Sequence, residues 1–259
     1  EKAKTGLFLS VLTILVVLGG IGSIGKVTAY LVPFMGIFYL FGICGILMFH
    51  FNRIPQALAE IVLTAFCPKA VAGGLFGTIR VGISRGIFSN EAGLGAAGIS
   101  AASADTEDYV RQGYISMTGV FWDTIVMCTL TGFTIISSML AHPGSAAAYS
   151  DAGLTTAAFT FLPHGDAFLS LSLMAFALAT LVGWCYLGEK GVTYFFGKTA
   201  VKSYHLIYIV MIYFGAILPM EIVWSFTDFI NAVMVLPNVL CLFLLYKKIE
   251  KPSSGVFTH

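Results

Sequence analysis

The chain has 259 residues, of which 58% are hydrophobic and only 10% are charged, and its formal net charge at pH 7 is +1. Soluble domains carry about 25% charged residues, so this composition excludes a water-exposed globule and predicts contact with a lipid bilayer. Because no block of basic residues occurs, nucleic acid is not expected among the partners.

Several apolar stretches are long enough for membrane-spanning helices, since crossing ~30 Å of hydrocarbon takes about 20 mainly apolar residues. They cover residues 6–24, 29–49, 113–140, 167–187, 204–220 and 222–246. The sequence therefore predicts an all-α, polytopic membrane protein. The chain starts at Glu1 rather than at Met and enters an apolar run almost at once, so we expect it to be part of a longer protein.

The region between the second and third stretches has a different pattern. Residues 54–67 are apolar but too few to span, and a cluster of Gly73, Gly74 and Gly77 separates them from a short apolar run that ends near residue 87. Interrupted segments of this kind indicate a transporter's binding site, because an unwound main chain at membrane depth must face protein, ions or substrate. We expect one discontinuous helix here. The alternative is an interfacial helix followed by a glycine-rich helix packed closely on its neighbours.

The distribution of Lys and Arg predicts the orientation in the membrane. Basic residues occur in segments 80–111, 190–202 and 247–251 and are missing from segment 141–168. Since cytoplasmic loops carry an excess of Lys and Arg, we predict a multi-pass protein of the cell membrane with a cytoplasmic carboxy terminus. Lys2, Lys4 and Arg53 then fall outside, against the rule.

Asp123 lies well inside the third apolar stretch. A carboxylate at that depth costs several kcal/mol unless it is paired or hydrated, and it marks a functional site by default. Asp123 is therefore a candidate for holding a cation or for a proton path. The alternative is a structural ion pair with Arg80 or Arg85.

Two further pairs of polar or aromatic residues each share one helix face. Asp228 and Asn231 are three apart, which predicts a polar interior in contact either with substrate or with a neighbouring helix. Thr180 and Trp184 are four apart, and a hydroxyl can bind Na⁺ while an indole can form the wall of a small cavity. An ordinary packed helix is the alternative for the second pair.

No catalytic signature is present in the sequence. The chain has no zinc-protease, hydrolase, Walker or dinucleotide-binding pattern, and its histidines do not have metal-ligand spacing. We therefore predict that the protein is not an enzyme, with no catalytic residues and no resident cofactor.

One string identifies a family resemblance. Residues 85–97, RGIFSNEAGLGAA, closely resemble the (R)GxFSNEAGxGSA signature of the alanine or glycine:cation symporter family. Segments 110–133, 181–198 and 223–238 are similar, in order, to further stretches of that family. Ala96 and Gly98 depart from its usual Ser and Pro.

The resemblance implies a partial LeuT-type bundle, with about helices 4–10 of a fold built from two inverted repeats of five helices. Residues 1–53 would end the first repeat and residues 54–251 would form the second. The amino-terminal helices of the same protein would then be missing partners of this chain.

The implied function is symport of a small neutral amino acid, alanine or glycine, with Na⁺ as the coupling ion. A non-transporting membrane subunit that anchors a complex is the alternative. The resemblance gives Thr180 the role of a Na⁺ ligand. The implied substrate-binding residues are Gly73, Gly74, Phe76, Gly77, Trp184 and Asn90.

Overall fold

The computed structural model describes residues 2–66, 68–91, 93–106, 108–145, 147–149 and 153–248, with the side chains of residues 20–22, 68–75, 78 and 248 left out. All regular secondary structure in these ranges is helical, which confirms the all-α prediction. The helices are α1 (Lys2–Leu18), α2 (Gly20–Phe49), α3 (Ile54–Ala65), α4 (Pro68–Asn90), α5 (Ala96–Ala101), α6 (Tyr109–Val120), α7 (Cys128–Ala141), α8 (Gly153–Phe159), α9 (Gly165–Phe196), α10 (Val201–Ile217) and α11 (Met220–Leu245).

Five helical segments among the described residues are long and apolar enough to cross a membrane. They are Ser23–Phe49, Tyr109–Ala141, Gly165–Phe196, Lys198–Ile217 and Met220–Leu245. The chain is thus a multi-pass membrane protein, as predicted, although the first predicted stretch is not among the five.

The first predicted span, residues 6–24, differs from the structure in where its helix ends. The first helix, α1, ends at Leu18 and α2 starts at Gly20, so the break falls several residues before the predicted boundary. The described part of α1 is Lys2–Leu18, 17 residues.

The predicted discontinuity at the glycine cluster is wrong for this structure. The main chain is helical from Pro68 to Asn90, and the interruption lies between Ala65 and Pro68 instead. Glycine permits an unwound main chain but does not require one, and a continuous helix satisfies its own hydrogen bonds without outside partners. The short helix α3 followed by the glycine-rich α4 matches the order of helices in the alternative interpretation. The close packing in that alternative is not found, since an added Cβ at Gly77, Gly82 or Gly86 would meet nothing within 4 Å.

A local irregularity does occur between α6 and α7. Residues Phe121–Met127 form a π-helical segment that joins the two helices into one long span. Such segments are rare and occur frequently at functional sites. Asp123 lies within it.

The chain divides into two compact units. The first unit comprises Glu1–Leu75 and Met127–Ile217, and the second comprises Phe76–Val126 and Leu218–His259. The divisions fall within the glycine cluster, within the π-helical segment and just before Pro219. The predicted repeats, 1–53 and 54–251, stay a prediction.

The first unit is built around two apolar clusters. In it α2 packs on α9 and α1 packs on α10. One cluster centres on Ile43, Ile46 and Phe159, all fully buried, and the other on Val182 and Cys185. Stacked rings of Phe38 on Phe168, and of Tyr39 on Phe159, extend the first cluster.

The second unit contains the carboxy-terminal half of α4, helices α5 and α6, most of the π-helical segment, and α11. Leu94 and Ala96 are the buried apolar residues within its described part. Polar contacts between its helices therefore have a larger share in holding it together.

Candidate functional site

Arg85, the first residue of the family-like string, lies at the centre of a polar cluster in the second unit. Its guanidinium donates two hydrogen bonds to Asp228 on α11, at 3.3 Å from Nη1 to Oδ1 and 3.0 Å from Nη2 to Oδ2. The same guanidinium lies over the ring of Trp224, 3.8 Å from its centroid. This two-pronged geometry is the strong form of an Arg–carboxylate contact.

Neighbouring side chains extend this cluster. The Ser84 hydroxyl donates to Asp228 Oδ1 at 3.5 Å, and the ring of Phe88 meets Trp224 edge-on at 5.1 Å between centroids. The sequence left open whether Asp228 contacts substrate or a neighbouring helix, and the structure shows the helix contact. Asn231, three residues further along α11, is half-buried.

Asp123 has hydroxyl partners. The Ser89 hydroxyl donates to Asp123 Oδ2 at 2.5 Å, and the Thr124 hydroxyl lies 3.4 Å from the same oxygen. Neither Arg80 nor Arg85 forms an ion pair with Asp123 in the part of the chain that the structure describes. The alternative of an Asp123–Arg pair is therefore wrong, and the carboxylate is held without a balancing positive charge from these residues.

The loop that follows α4 is ordered by main-chain conformation and by α11. Glu91, Gly93 and Gly95 all have positive φ, at 55°, 80° and 88°, which turns the chain sharply after Asn90, the last residue of α4. Asn238 of α11 donates from Nδ2 to the Gly93 carbonyl at 2.9 Å. The described residues of the FSNEAG string thus form a helix end and part of a turn, which Asn238 of α11 holds at Gly93.

The predicted sodium and substrate residues on α9 share a helix but differ in exposure. The Thr180 side chain is exposed, whereas Trp184 and Phe176 are half-buried. Gly183 leaves space on the same stretch, since an added Cβ would meet nothing within 4 Å.

The predicted substrate residues are divided between the two units. Gly73, Gly74 and Trp184 belong to the first unit, whereas Phe76 and Gly77 belong to the second. Phe76 is 87% exposed and is therefore hardly packed against the part of the chain that the structure describes. Convergence of these residues on one site stays a prediction.

Sequence reasoning missed several partners. Trp224 is four residues before Asp228 and so on the same face of α11, a spacing that could have identified it. Glu189 and His205, which join α9 to α10 at 3.1 Å, are 16 residues apart and gave no local signal. Each of these two side chains is 19% exposed.

The described side chains around Asp123 offer oxygen atoms. No group of three or more His, Cys, Asp or Glu side chains that could hold a metal ion occurs among the described residues. The available ligands are hydroxyl and carboxylate oxygens, which suit ions that take oxygen ligands.

Comparison with known proteins decides the family. The model of the sodium:alanine symporter family matches residues 1–254. The chain belongs to the sodium:alanine symporter family. This assignment confirms the resemblance found at residues 85–97. Because symporters are transporters, it also confirms the prediction that the chain is not an enzyme.

Relatives across bacteria and archaea agree with this assignment. The sodium/alanine symporter AgcS of Methanococcus maripaludis is 41% identical over 244 residues, covering 93% of this chain and 54% of the relative. An uncharacterized transporter of Haemophilus influenzae is 37% identical over 98% of this chain and 57% of its own length. The probable sodium/glutamine symporter GlnT of Bacillus subtilis is 34% identical, covering 86% of this chain and 47% of the relative. The chain thus spans about half the length of the curated relatives it matches.

Proposed function

We propose that the full-length protein containing this symporter-family chain moves a small neutral amino acid, alanine or glycine, into the cell together with Na⁺. The observation that carries the proposal is the 41% identity to a relative named as a sodium/alanine symporter. It is supported by the match of the family model along residues 1–254.

The glycine cluster is the proposed substrate element. Glycine is about 1 kcal/mol less favourable than alanine in a helix, so Gly73, Gly74 and Gly77 lower the cost of opening α4 locally. An opened helix exposes main-chain N–H groups, and those at the start of a half-helix attract a carboxylate. Phe76, exposed beside this cluster, is the residue proposed to cover the substrate. Trp184 is a further proposed substrate residue.

Two oxygen-bearing positions are the proposed cation elements. The exposed Thr180 hydroxyl would bind Na⁺. Among the described residues, the Asp123 carboxylate lies inside a spanning segment with hydroxyl groups as its side-chain partners, and a charge at that depth costs about 3 kcal/mol on insertion scales. A bound cation would remove this cost. Asn90 is proposed to act near the substrate pathway at the end of α4.

Uptake of radiolabelled alanine by cells or proteoliposomes containing the full-length protein tests the proposal. We expect uptake in Na⁺ and its loss when Na⁺ is replaced by K⁺ or choline, with glycine competing more strongly than glutamine. Stronger competition by glutamine would assign the substrate differently, as the relative named as a probable sodium/glutamine symporter suggests. Absence of Na⁺-dependent uptake would favour a non-transporting subunit.

We also propose a cytoplasmic carboxy terminus, because Lys247 follows α11 and cytoplasmic loops are rich in Lys and Arg. A cysteine introduced at Lys247 in a background without the native cysteines would report the side. We expect it to resist a membrane-impermeant maleimide in intact cells and to react after permeabilisation. Labelling of intact cells would reverse the orientation.

A further inference from the structure

We propose that Arg85, Asp228 and Trp224 form a clamp that keeps the carboxy-terminal half of α4 and helix α11 together throughout the transport cycle. In this proposal, which rests on the proposed function, Asp228 is a positioning residue that acts through Arg85. The clamp gives Arg85, the first residue of the RGIFSNEAGLG string, a role that substrate and Na⁺ binding do not explain.

The first observation is that Arg85 is held from two sides by one helix. Both outer nitrogens of its guanidinium bind Asp228, and its planar face lies on Trp224. Trp224 and Asp228 are one turn apart on α11, so a single helix supplies both contacts. A guanidinium constrained by a carboxylate and a ring keeps little freedom to rotate.

The second observation is an independent attachment further along α11. Asn238 donates to the Gly93 carbonyl at 2.9 Å, and a Cβ at Gly95 would lie 3.1 Å from Asn238 Oδ1. Asn238 follows Asp228 by ten residues, which is about 15 Å along a helix. Two attachments that far apart oppose both rotation and sliding of the α4 end along α11.

The energetics favour a contact that stays closed. Arg85 and Asp228 lie in a helical region of a multi-pass protein, and each is only partly exposed, at 37% and 42%. Separating them would break two charge-assisted hydrogen bonds, a cost that the partial exposure of both side chains reduces, whereas removing both charges leaves nothing unpaired. A transporter that separated Arg85 from Asp228 in every cycle would lose the free energy of this contact each time. The geometry therefore points to joint movement of the two segments.

A disulfide tests joint movement directly. An added Cβ at Gly95 lies 3.5 Å from the Asn238 Cβ, within the roughly 3.5–4.5 Å range of natural disulfides. Gly95→Cys/Asn238→Cys would be made in the full-length protein and its uptake compared oxidised and reduced. Because the oxidised and reduced proteins both carry the cysteine at position 95, any strain from its positive φ affects the two measurements equally. The two single-cysteine variants, treated with the same oxidant, are the controls.

We expect the disulfide to form and the oxidised protein to keep at least about half of the reduced protein's uptake, since a joint body does not need to open. Loss of uptake on oxidation with recovery on reduction would show that the contact opens, and would overturn the clamp. Failure of the disulfide to form would also overturn it, because the two positions would then not be held together.

Charge substitutions test the role of Asp228. We expect Asp228→Asn to lower maximal uptake about tenfold, with the half-saturating alanine and Na⁺ concentrations nearly unchanged, because it leaves Arg85 unpaired. Arg85→Gln/Asp228→Asn should recover much of that loss. Uptake would be normalised to the amount of protein in the membrane, and Asp166→Asn, at an exposed acidic residue in the first turn of α9, is the matched control.

Two outcomes would contradict the positioning role. A rise in the half-saturating alanine or Na⁺ concentration with unchanged maximal uptake would make Asp228 a binding residue. A double variant worse than the single one would also count against the clamp. If the wild type shows no Na⁺-dependent uptake, the proposed function is wrong, whereas formation of the disulfide, which needs no transport, still decides whether the segments are held together.

Discussion

The two units differ in what holds their helices together. In the first unit, fully buried apolar side chains such as Ile43, Ile46 and Phe159 interlock between helices. In the described part of the second unit, Leu94 and Ala96 are the buried apolar residues, and the contacts between helices run through Arg85 and Ser89.

This difference has a physical consequence. Lipid tails are as apolar as leucine, so helices in a bilayer associate through close packing and polar contacts rather than through the hydrophobic effect. A closely packed unit resists deformation because interiors have few voids and fixed side-chain conformations. A unit joined by a few directional contacts keeps its geometry only while each contact is satisfied. We therefore expect substitutions that add volume to damage the first unit, and substitutions that remove a polar partner to damage the second.

The largest effect is expected at Gly165, the first residue of α9. A Cβ at this position would overlap the main-chain carbonyl of Phe159, which is itself fully buried and cannot move aside. Overpacking of a closed core costs about 1–3 kcal/mol and occasionally more, so we expect Gly165→Ala to lower stability by about 3 kcal/mol. The unfolding temperature and the monodisperse yield of the purified full-length protein would measure this.

Gly191→Ala is the matched control in the same helix. An added Cβ there meets nothing within 4 Å, and alanine is favoured over glycine in helices by about 1 kcal/mol, so this variant should be neutral or slightly stabilised. Equal unfolding temperatures for the two alanine variants would show that packing at Phe159 is looser than the structure indicates.

The second prediction compares one polar contact from each unit by double-mutant cycles. Ser89 donates to the Asp123 carboxylate in the second unit, whereas the Tyr39 and Thr131 hydroxyls lie 3.0 Å apart in the first. Hydrogen bonds to charged groups are worth about 1.5–3 kcal/mol, while neutral contacts between membrane helices average about 0.6. Because solvent weakens the exposed Ser89–Asp123 contact, we expect the lower end of this range, about 1.5 kcal/mol, for the first pair and about 0.6 for the second.

The cycles would use Ser89→Ala with Asp123→Asn, and Tyr39→Phe with Thr131→Val, read out as unfolding free energies in detergent. Ser103→Ala is the control for loss of a hydroxyl, since Ser103 is exposed and bonds locally to the Ser100 carbonyl. Coupling of equal size in both pairs would contradict the difference between the units.

The membrane itself made the fold class predictable from the sequence. Only helices and closed barrels satisfy every main-chain group in lipid, so long apolar stretches had to become helices, and most of the predicted spans are present. The boundary at Gly19 and the continuity of α4 were not predictable in the same way. Glycine lowers the cost of a break, but the contacts made by a segment decide whether it breaks.

The candidate site was predictable only in its residue types. Asp123 and Asp228 stood out because carboxylates are rare inside spanning segments. Their partners did not stand out, since Arg85 is 143 residues from Asp228 and Ser89 is 34 residues from Asp123. A serine in the last turn of a helix carries no sign of the helix it will meet. Spacing can place two residues on one helix face, but pairing across helices depends on packing of the whole unit.

The smallest effect is expected at His50, just beyond α2 in the first unit. It should appear as a change in how stability depends on pH. His50 follows α2 and is 7% exposed, with Ser138 Oγ 3.4 Å from its Nδ1 and the His142 ring 5.7 Å away between centroids. Burial lowers the pKa of His50 below its ordinary value, and the neighbouring His142 lowers this pKa further. The folded protein therefore binds a proton at His50 less readily than the unfolded chain does.

The sign of the pH effect follows from this shift. An unfolded chain binds a proton at His50 near the ordinary pKa of about 6.5, whereas the folded protein binds it only at lower pH. The contribution of His50 is thus fully present above about pH 6.5 and is lost as the pH falls through the lowered folded-state pKa. Between pH 7.5 and 5.5, His50→Gln should lose less unfolding temperature than the wild type. His164→Asn, at an exposed histidine whose φ of 56° asparagine tolerates, should keep the wild-type slope. If His50→Gln and the wild type respond equally to acid, the pH dependence arises elsewhere and packing alone holds this end of α2 on α7.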